Sequence, residues 1–467
     1  MSDKAEVYKM KMVDVEPQFL WATSANLSVV IRIKGYLSIN DLKKSLNKVR
    51  KRHPLLNARI LIDHSHDEMW YVSDAKQEFP LRVVSRRSDS QWFEEVLHEE
   101  KIPFVMEKGP LIRFILLQSE AQSELIIFCQ HIICDGISLY YLARDILHFI
   151  ANPNEPVDDI LYPPAFIPKK LLKSKRLFSD IVVNLFFDII QKLWEKKKVI
   201  FNQDDFNILH KAYWDKYNYC VLLMELPKNQ TSYLVKNCHG NNVTVNSVLS
   251  TAFLAAYYDV MGGFKGIKQF VSVPVNIRNR LNKSVGDSFG LFVDVVKFRF
   301  KYNPKKSFLG NAGDFGEEVK SQIGYKKQYK VLLSLRRLSP SFLSAISFAT
   351  YGNMIIPRNN YNEKIFAFSK DEKNICVKLT DRINANFSGT VIVNMGSLDF
   401  PTRYGALEVD RSILAVSASP LIDLNLAIIT ISGRLTLSLN YVEENISTET
   451  MNKIMDRAKN YLSDVIG

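Results

Sequence analysis

The chain has 467 residues, a length that predicts two domains or subdomains rather than one core. Its apolar fraction of 47% and charged fraction of 24% exclude a disordered or collagen-like chain. The net charge of +12 fits an anionic partner, such as CoA phosphates, an acidic carrier protein or a membrane surface, and it fits a lysine-rich solvated surface equally well. No zinc-finger spacing or RNA-recognition motif is present, so we expect no nucleic-acid partner.

Cysteine usage and the N-terminal sequence bear on the cellular compartment. The five cysteines form no CxxC pair and no metal-ligand spacing, which predicts a reduced intracellular protein without a metal site. The first residues lack the apolar core of a signal peptide, and no segment is long and apolar enough to span a membrane. We therefore expect a cytoplasmic location, with peripheral contact at a membrane as an extension of it.

The first half of the chain alternates predicted strands and helices. β-branched residues over 28–35 predict a strand. Ser38 with Asp41 resembles a capping box that opens a helix, and Pro54 prevents that helix from continuing. The further predicted elements of this half are strands over 111–118 and 124–131 and an amphipathic helix over 136–150.

The middle of the chain contains a break followed by an unusual helical pattern. Five prolines over 151–170 argue against a regular helix or strand. Over 177–194, polar residues then recur every four positions on an otherwise apolar helix with lysines at both ends: Asp180, Asn184, Asp188 and Lys192. This pattern suits a helix on a membrane surface, and it equally suits a helix packed on the core or between the two halves.

The second half repeats the mixture of strands and helices. It begins with a strand over 219–227, and Thr244 is predicted to cap a helix that Gly262 and Gly263 stop. The remaining predicted elements are strands over 268–277, 291–300 and 389–398, helices over 316–325 and 331–351, a hairpin over 424–442 and a last helix over 448–465. Both halves therefore predict an α+β, two-layer fold.

His131 lies at the end of a predicted buried strand, and Asp135 and Gly136 follow it closely. A lone histidine in this position is more often structural than catalytic. Three features favour catalysis. Sites in covered sheets commonly lie where a central strand ends, Gly136 permits an unusual backbone angle, and the next helix offers N–H groups to a developing negative charge.

The segment QHIICDG, residues 130–136, resembles the HHxxxDG signature of the condensation-domain superfamily of acyltransferases. That superfamily has the chloramphenicol-acetyltransferase-like (CAT-like) fold, and it includes peptide-synthetase condensation domains, polyketide-associated acyltransferases and alcohol acetyltransferases. Further similar segments, in the family's order, are KRHPLLNARI (51–60), PFVMEKGPLIRF (103–114), TVNSVLSTAFLAA (244–256), VPVNIRNRL (273–281), GDSFGLFV (286–293) and VIVNMGSL (391–398). The resemblance thus spans nearly the whole chain.

The resemblance implies two CAT-like subdomains arranged in a V, with the active-site tunnel between them. It predicts an N-terminal CAT-like subdomain over 1–165 that carries the QHxxxDG motif. A linker with the basic amphipathic helix follows over 166–215, and a C-terminal CAT-like subdomain occupies 216–467.

The resemblance also implies acyl transfer from a CoA or carrier-protein thioester to a hydroxyl or amine acceptor, in lipid or secondary metabolism. The phosphopantetheine thioester is then a donor substrate, and no permanently bound cofactor is expected. His131 would be the general base, for which its ordinary pKa near 6.5 is suited. Asp135 would hold the loop by pairing with Arg278, or alternatively Arg280, and Gly136 would act through its backbone.

Gln130, Asn394 and Gly396 are predicted to contact substrate, although turn chemistry explains the last two nearly as well. Gln130 departs from the signature, which has a histidine of more structural role at this position. Two alternatives therefore stay open: a catalytically silent condensation-like protein that binds a carrier protein or acyl ligand, and a peripheral lipid-binding protein. Cys134 is not expected to be a nucleophile, because the adjacent carboxylate disfavours its thiolate.

Overall fold

The computed structural model describes residues 8–466, apart from 14, 75–76, 165–177, 265–269, 282, 324–333, 358, 360–361 and 385–388. Numbered in chain order among these residues, the strands are β1 Tyr8–Lys11, β2 Asn26–Lys34, β3 Ala58–Asp63, β4 Glu68–Ser73, β5 Leu81–Ser85, β6 Ile112–Gln118, β7 Gln122–Gln130, β8 Tyr219–Leu226, β9 Phe270–Asn276, β10 Val293–Arg299, β11 Thr390–Leu398, β12 Arg403–Tyr404, β13 Leu407–Val416, β14 Leu424–Ile431 and β15 Arg434–Val442. The α-helices are α1 Ile39–Arg52, α2 Gln91–Glu100, α3 Gly136–Ala151, α4 Phe178–Lys196, α5 Gln203–Lys216, α6 Lys228–Gly240, α7 Val245–Met261, α8 Phe308–Ile323, α9 Pro340–Ile355, α10 Glu363–Lys370, α11 Ile375–Asn384 and α12 Thr448–Ile466.

Two six-stranded sheets form the centre of the molecule. One has the strand order β12-β13-β2-β7-β6-β5, and the other has the order β10-β9-β11-β14-β15-β8. A three-stranded sheet, β1-β4-β3, adds to the first half. Within the described residues neither large sheet closes into a barrel, and helices pack on both. The predicted α+β class is confirmed.

Strands β12 and β13 come late in the chain and yet belong to the sheet built from the first half. β13 runs antiparallel to β2, with Val416 opposite Leu27. It also packs on β14 and β15 of the other sheet, where Ser438 Oγ donates a hydrogen bond to the carbonyl of Leu414. This strand therefore ties the two sheets together, while the subdomain boundaries stated above stay a prediction.

Strand β7 positions the connection that carries His131. It lies between β2 and β6, antiparallel to both, and its residues 123–130 are all buried. This burial on both faces matches the apolar pattern of a central strand. β7 ends at Gln130 and α3 begins at Gly136, so the short connection between them lies at the end of a central strand.

Local signals locate most element boundaries. The side chain of Ser38 accepts the N–H of Asp41, the side chain of Thr244 accepts the N–H of Ser247, and Gly262 ends α7 with a φ of 71°. Within the helix predicted over 331–351, residues 334–335 are helical, and a turn and bend over 336–338 separate them from the helix that follows. Helix α9 begins at Pro340, because proline suits the first helical position; residues 331–333 lie outside the described part of the chain.

Glu100, at the end of α2, is a carboxyl group buried inside the protein. Asn26 Nδ2 donates a hydrogen bond to Glu100 Oε2 at 2.7 Å, and Ser417 Oγ donates to the other carboxyl oxygen. Burial raises the pKa of Glu100 to about 7, and the hydrogen bonds from Asn26 and Ser417 offset only part of that effect.

We expect Glu100→Gln to remove a pH-dependent loss of stability. Because the pKa of Glu100 is higher in the folded state, the unfolded chain releases this proton first. This carboxyl's contribution to the free energy of unfolding therefore falls as the pH rises from about 4.5 to about 7. We would measure the free energy of unfolding of parent and variant by urea denaturation at about pH 4.5 and pH 8. From the lower to the higher pH, the variant should gain about 3 kcal/mol in this free energy relative to the parent. The exposed control Glu372→Gln should show no such gain, and a pH-independent difference for Glu100→Gln would contradict the expectation.

Candidate active site

A hydrogen bond selects the tautomer of the neutral His131 ring. Its Nδ1 lies 2.7 Å from the carbonyl oxygen of Cys134. Because a carbonyl can only accept, Nδ1 carries a proton, and in the neutral ring Nε2 then carries the lone pair. Nε2 makes no hydrogen bond to another residue in the part of the chain that the structure describes. The ring is therefore the tautomer that can accept a proton at Nε2.

The surroundings of His131 keep its imidazole neutral near pH 7. Burial lowers its pKa below the ordinary 6.5, and the Cys134 carbonyl and the Asp135 carboxylate oppose that shift only in part. The aromatic ring of Phe19 lies beside the imidazole, with ring centroids 5.0 Å apart. The histidine side chain as a whole is half-buried. It is therefore a neutral base that keeps some contact with the outside of the protein.

Gln130 orders the backbone around this histidine. Its Nε2 donates to the carbonyl of Phe19 at 2.8 Å, and its Oε1 accepts the N–H of Ile132. The residue is 1% exposed. Since both ends of the amide are engaged by the backbone, the geometry argues against the predicted contact between Gln130 and substrate. Gln130 instead holds Phe19 next to the loop that carries His131.

Asp135 joins the loop to the second half of the chain. Its Oδ1 accepts the N–H of Ser138 at 2.7 Å, which caps α3, and its Oδ2 accepts the N–H of Phe292 at 2.8 Å. Arg278 Nη2 lies 3.3 Å from Asp135 Oδ1, and the two side chains are 5% and 8% exposed. Both carboxylate oxygens of Asp135 are thus bonded to other groups of the protein. These contacts are those expected of a residue that holds a loop in place.

Ser138 and Gly290 complete this network. The Ser138 hydroxyl donates to the Gly290 carbonyl at 2.7 Å and accepts from Arg278 at 2.6 Å, and the same carbonyl accepts the N–H of Asp135 at 3.0 Å. Neither residue is identified from the sequence alone. The Asp-x-x-Ser spacing of an N-cap is a signal for Ser138. Gly290 contributes only its backbone, which leaves no such signal.

An open cleft of about 1030 Å³ lies in the second half, between the second sheet and helices α6, α7 and α8. Apolar side chains form most of its wall, including Val273, Val275, Ile428 and Leu435. The predicted site residues Asn394 and Gly396 line it too, as do the cationic residues Lys236 and Arg280. Arg280, the alternative partner considered for Asp135, therefore lines this cleft, whereas Arg278 makes the ion pair.

Met395 connects this cleft with the histidine loop. It lines the cleft, and its terminal methyl carbon lies 3.0 Å from where a Cβ at Gly136 would stand. A side chain at position 136 would therefore press against the flexible end of Met395, which would have to shift by a few tenths of an ångström. Next to it, Asn394 Nδ2 donates to Asn246 Oδ1 at 3.0 Å, and Gly396 adopts a φ of 69°. The loop and the cleft are thus direct neighbours.

Sequence comparisons find relatives among large synthetases. Residues 20–159 match the family model described as "Condensation domain". Gramicidin S synthase 2 from Brevibacillus brevis is 23% identical over 312 residues, which cover 62% of this chain and 6% of that protein. The chain therefore spans a small fraction of the length of the curated relative that it matches.

Structural comparisons cover the whole chain. The condensation domain of the Monacolin K polyketide synthase MokA has a TM-score of 0.62 at 10% identity, with coverage of 98% of this chain and 97% of that one. Trichothecene 15-O-acetyltransferase from Fusarium sporotrichioides has a TM-score of 0.60 at 11% identity, with coverage of 99% and 96%. The TM-scores establish a shared fold. Because the sequence identities are this low, the chemistry has to be argued from the residues of the site.

Proposed function

Because the chain carries a condensation domain within a CAT-like fold, we propose that the protein transfers an acyl group from a thioester to a hydroxyl or amine acceptor. The tautomer of His131 carries the proposal. With Nδ1 bound to the Cys134 carbonyl, Nε2 keeps the lone pair that a general base needs. The neutral state of the ring near pH 7 supports the same role.

The proposed reaction balances without a cofactor. His131 Nε2 takes the proton from the acceptor as its oxygen or nitrogen attacks the thioester carbonyl. The new C–O or C–N bond forms, the C–S bond breaks, and the imidazolium returns the proton to the departing thiolate. Helix α3 begins at Gly136, and its positive end is proposed to stabilise the negative charge that develops on the carbonyl oxygen.

A phosphopantetheine thioester, carried by CoA or by a carrier protein, is the proposed donor. Its arm is long and amphipathic and ends in phosphate groups. The cleft beside the loop offers apolar walls together with the cationic Lys236 and Arg280. Asn394 and Gly396, which line the cleft, are proposed to contact this arm.

Thiol release tests the proposal. The parent protein is mixed with acyl-CoAs of increasing chain length and, separately, with acyl carrier proteins, each with and without pooled alcohols and amines. We expect release that depends on the acceptor and ranks the donors by chain length. Failure of every donor to give acceptor-dependent release would contradict the proposal.

Binding without catalysis is a second candidate, and one observation favours it. Gln130 occupies the first position of the HHxxxDG signature. Isothermal titration with the same acyl-CoAs and carrier proteins distinguishes the candidates. Saturable binding without acceptor-dependent thiol release would support a silent binding protein.

The pH dependence of the rate should reflect the lowered pKa of His131. The base form is the neutral imidazole, so the rate is lost only as the pH falls through the folded-state pKa. Since that pKa lies below 6.5, we expect kcat/KM to keep more than half of its maximal value at pH 6.5 and to fall at lower pH. Initial rates of thiol release between about pH 5 and pH 8 check this, and a half-maximal rate above pH 6.5 would contradict it.

A further inference from the structure

Helix α4 turns its polar side towards the protein. Three of its polar side chains bond to the segment 334–339, which precedes α9. The contacts are Ser334 Oγ to Asn184 Oδ1 (3.0 Å), Arg337 Nη1 to Asp188 Oδ1 (2.6 Å) and Ser339 N to Gln191 Oε1 (2.8 Å). A surface helix normally directs its apolar side to the core and its polar side to water. Helix α4 buries the apolar Ile190 and Trp194 in this way, but its polar residues also face the protein, and a second apolar side is left exposed.

The C-terminal half of α4 is fixed to the core and maintains this orientation. Ile190 and Trp194 are 3% and 0% exposed. The Trp194 Nε1 donates to Ser341 Oγ at 3.0 Å, and its ring packs edge-on against Phe342 and Phe368. Rotating α4 to bury its opposite side would break these contacts together with the polar ones, so the outward face is a stable feature of the fold.

The outward face is an apolar stripe of six large side chains. They recur at helical spacing, and each has about half of its surface in contact with solvent: Ile181 (58%), Val182 (51%), Leu185 (58%), Phe186 (52%), Ile189 (49%) and Leu193 (42%). Scattered exposed apolar residues are ordinary, whereas a continuous stripe of this kind marks a surface that another apolar phase covers. We call these six residues the α4 stripe.

We propose that the α4 stripe docks the protein on an anionic lipid bilayer, with the helix lying along the surface. Charge supports this occupant. The protein carries a net charge of +12, and Lys192 and Lys196 are exposed on the same helix as the stripe. Apolar residues flanked by cations suit acyl chains beneath anionic headgroups.

The geometry also favours a bilayer over a grooved protein partner. The α4 stripe runs along the outside of one helix, so a flat and fluid apolar layer can meet every side chain in it. None of the helices in the described ranges is long and apolar enough to cross a membrane. The helix therefore lies on the surface, and this inference holds whether or not the proposed acyl transfer is correct.

Vesicle flotation with the full-length protein tests the docking. We expect the parent to float with vesicles of phosphatidylcholine and phosphatidylserine, and to float less with phosphatidylcholine alone or in high salt. Leu185→Ser combined with Phe186→Ser should reduce the vesicle-bound fraction at least about tenfold. Lys192→Gln combined with Lys196→Gln should reduce binding to the anionic vesicles and leave the weak binding to neutral ones unchanged.

A matched control distinguishes the α4 stripe from exposed apolar residues in general. Ile102 and Val105 are each 43% exposed elsewhere on the surface, and replacing both with serine should leave flotation unchanged. Circular dichroism and thermal unfolding establish that each variant is folded. The proposal is overturned if the parent does not float, or if the Leu185 and Phe186 variant floats as well as the parent. A second copy of the chain could cover the stripe instead of a bilayer. The proposal is therefore also overturned if sedimentation shows that the parent is a dimer that does not bind vesicles, and that the Leu185 and Phe186 variant is a monomer.

Discussion

His131→Ala is expected to lower acceptor-dependent thiol release by about 10²–10⁴-fold, the usual contribution of a positioned general base. The substitution removes Nε2, which is the proposed proton acceptor, and leaves Gln130 and the Asp135 network in place. The loop should therefore keep its conformation. Initial rates at saturating donor and acceptor, measured for parent and variant at the same pH, give the ratio.

The matched control is His64→Ala, which removes an exposed histidine from a turn far along the chain. We expect its rate to equal that of the parent. Equal rates for the parent and a folded His131→Ala would remove the general-base role and leave the fold unaffected. A loss of secondary structure in His131→Ala would instead mean that its hydrogen bond to the Cys134 carbonyl is needed for folding, and the conservative His131→Gln would then replace it in the assay.

The sequence predicts the centre of the candidate site because its residues are contiguous. His131, Asp135 and Gly136 lie in one seven-residue segment, and its resemblance to the condensation-domain superfamily is confirmed. The pairing of Arg278 with Asp135 can be predicted only from the resemblance, because Asp135 lies 143 positions earlier and no local pattern relates the two residues. Phe292 and Gly290 contribute backbone atoms. Nearly every residue type provides such atoms, so the residue types do not reveal these two contacts, although both residues lie in the segment 286–293 that resembles the superfamily.

Long-range packing decides the features of the fold that local patterns leave open. The alternation of residues in β13 indicates a strand, but not that it pairs with β2, nearly four hundred positions earlier. The four-residue period of α4 predicts a polar stripe, and of its members Asn184 and Asp188 meet the segment 334–339, Lys192 is exposed, and the side chain of Asp180 lies outside the described residues. The direction of the stripe depends on that distant segment. A hydrophobic period identifies two faces of a helix and leaves undetermined which of them is covered.

The ion pair between Asp135 and Arg278 should be the most costly contact of the loop to break. Asp135→Ala leaves the Arg278 guanidinium buried without its carboxylate and leaves the N–H of Phe292 without its acceptor. We expect a loss of about 3–5 kcal/mol in the free energy of unfolding, measured by urea denaturation. Asp135→Asn keeps an acceptor for the capping N–H of Ser138 and removes the charge, so its cost measures the stranded arginine more directly.

Combining the two substitutions shows whether the ion pair itself carries this cost. Arg278→Ala in the Asp135→Ala background removes the unpaired charge, so the double variant should lose less stability than the two single variants added together. The exposed pair of Glu449 and Lys453, 79% and 61% exposed, is the control, and Glu449→Ala should leave the free energy of unfolding nearly unchanged. Additive losses for Asp135 and Arg278 would mean that the carboxylate stabilises the loop through its backbone hydrogen bonds alone. In that case thiol release should fall with Asp135→Ala and be retained in Arg278→Ala, because the capped start of α3 rather than the charge pair would hold His131 in position.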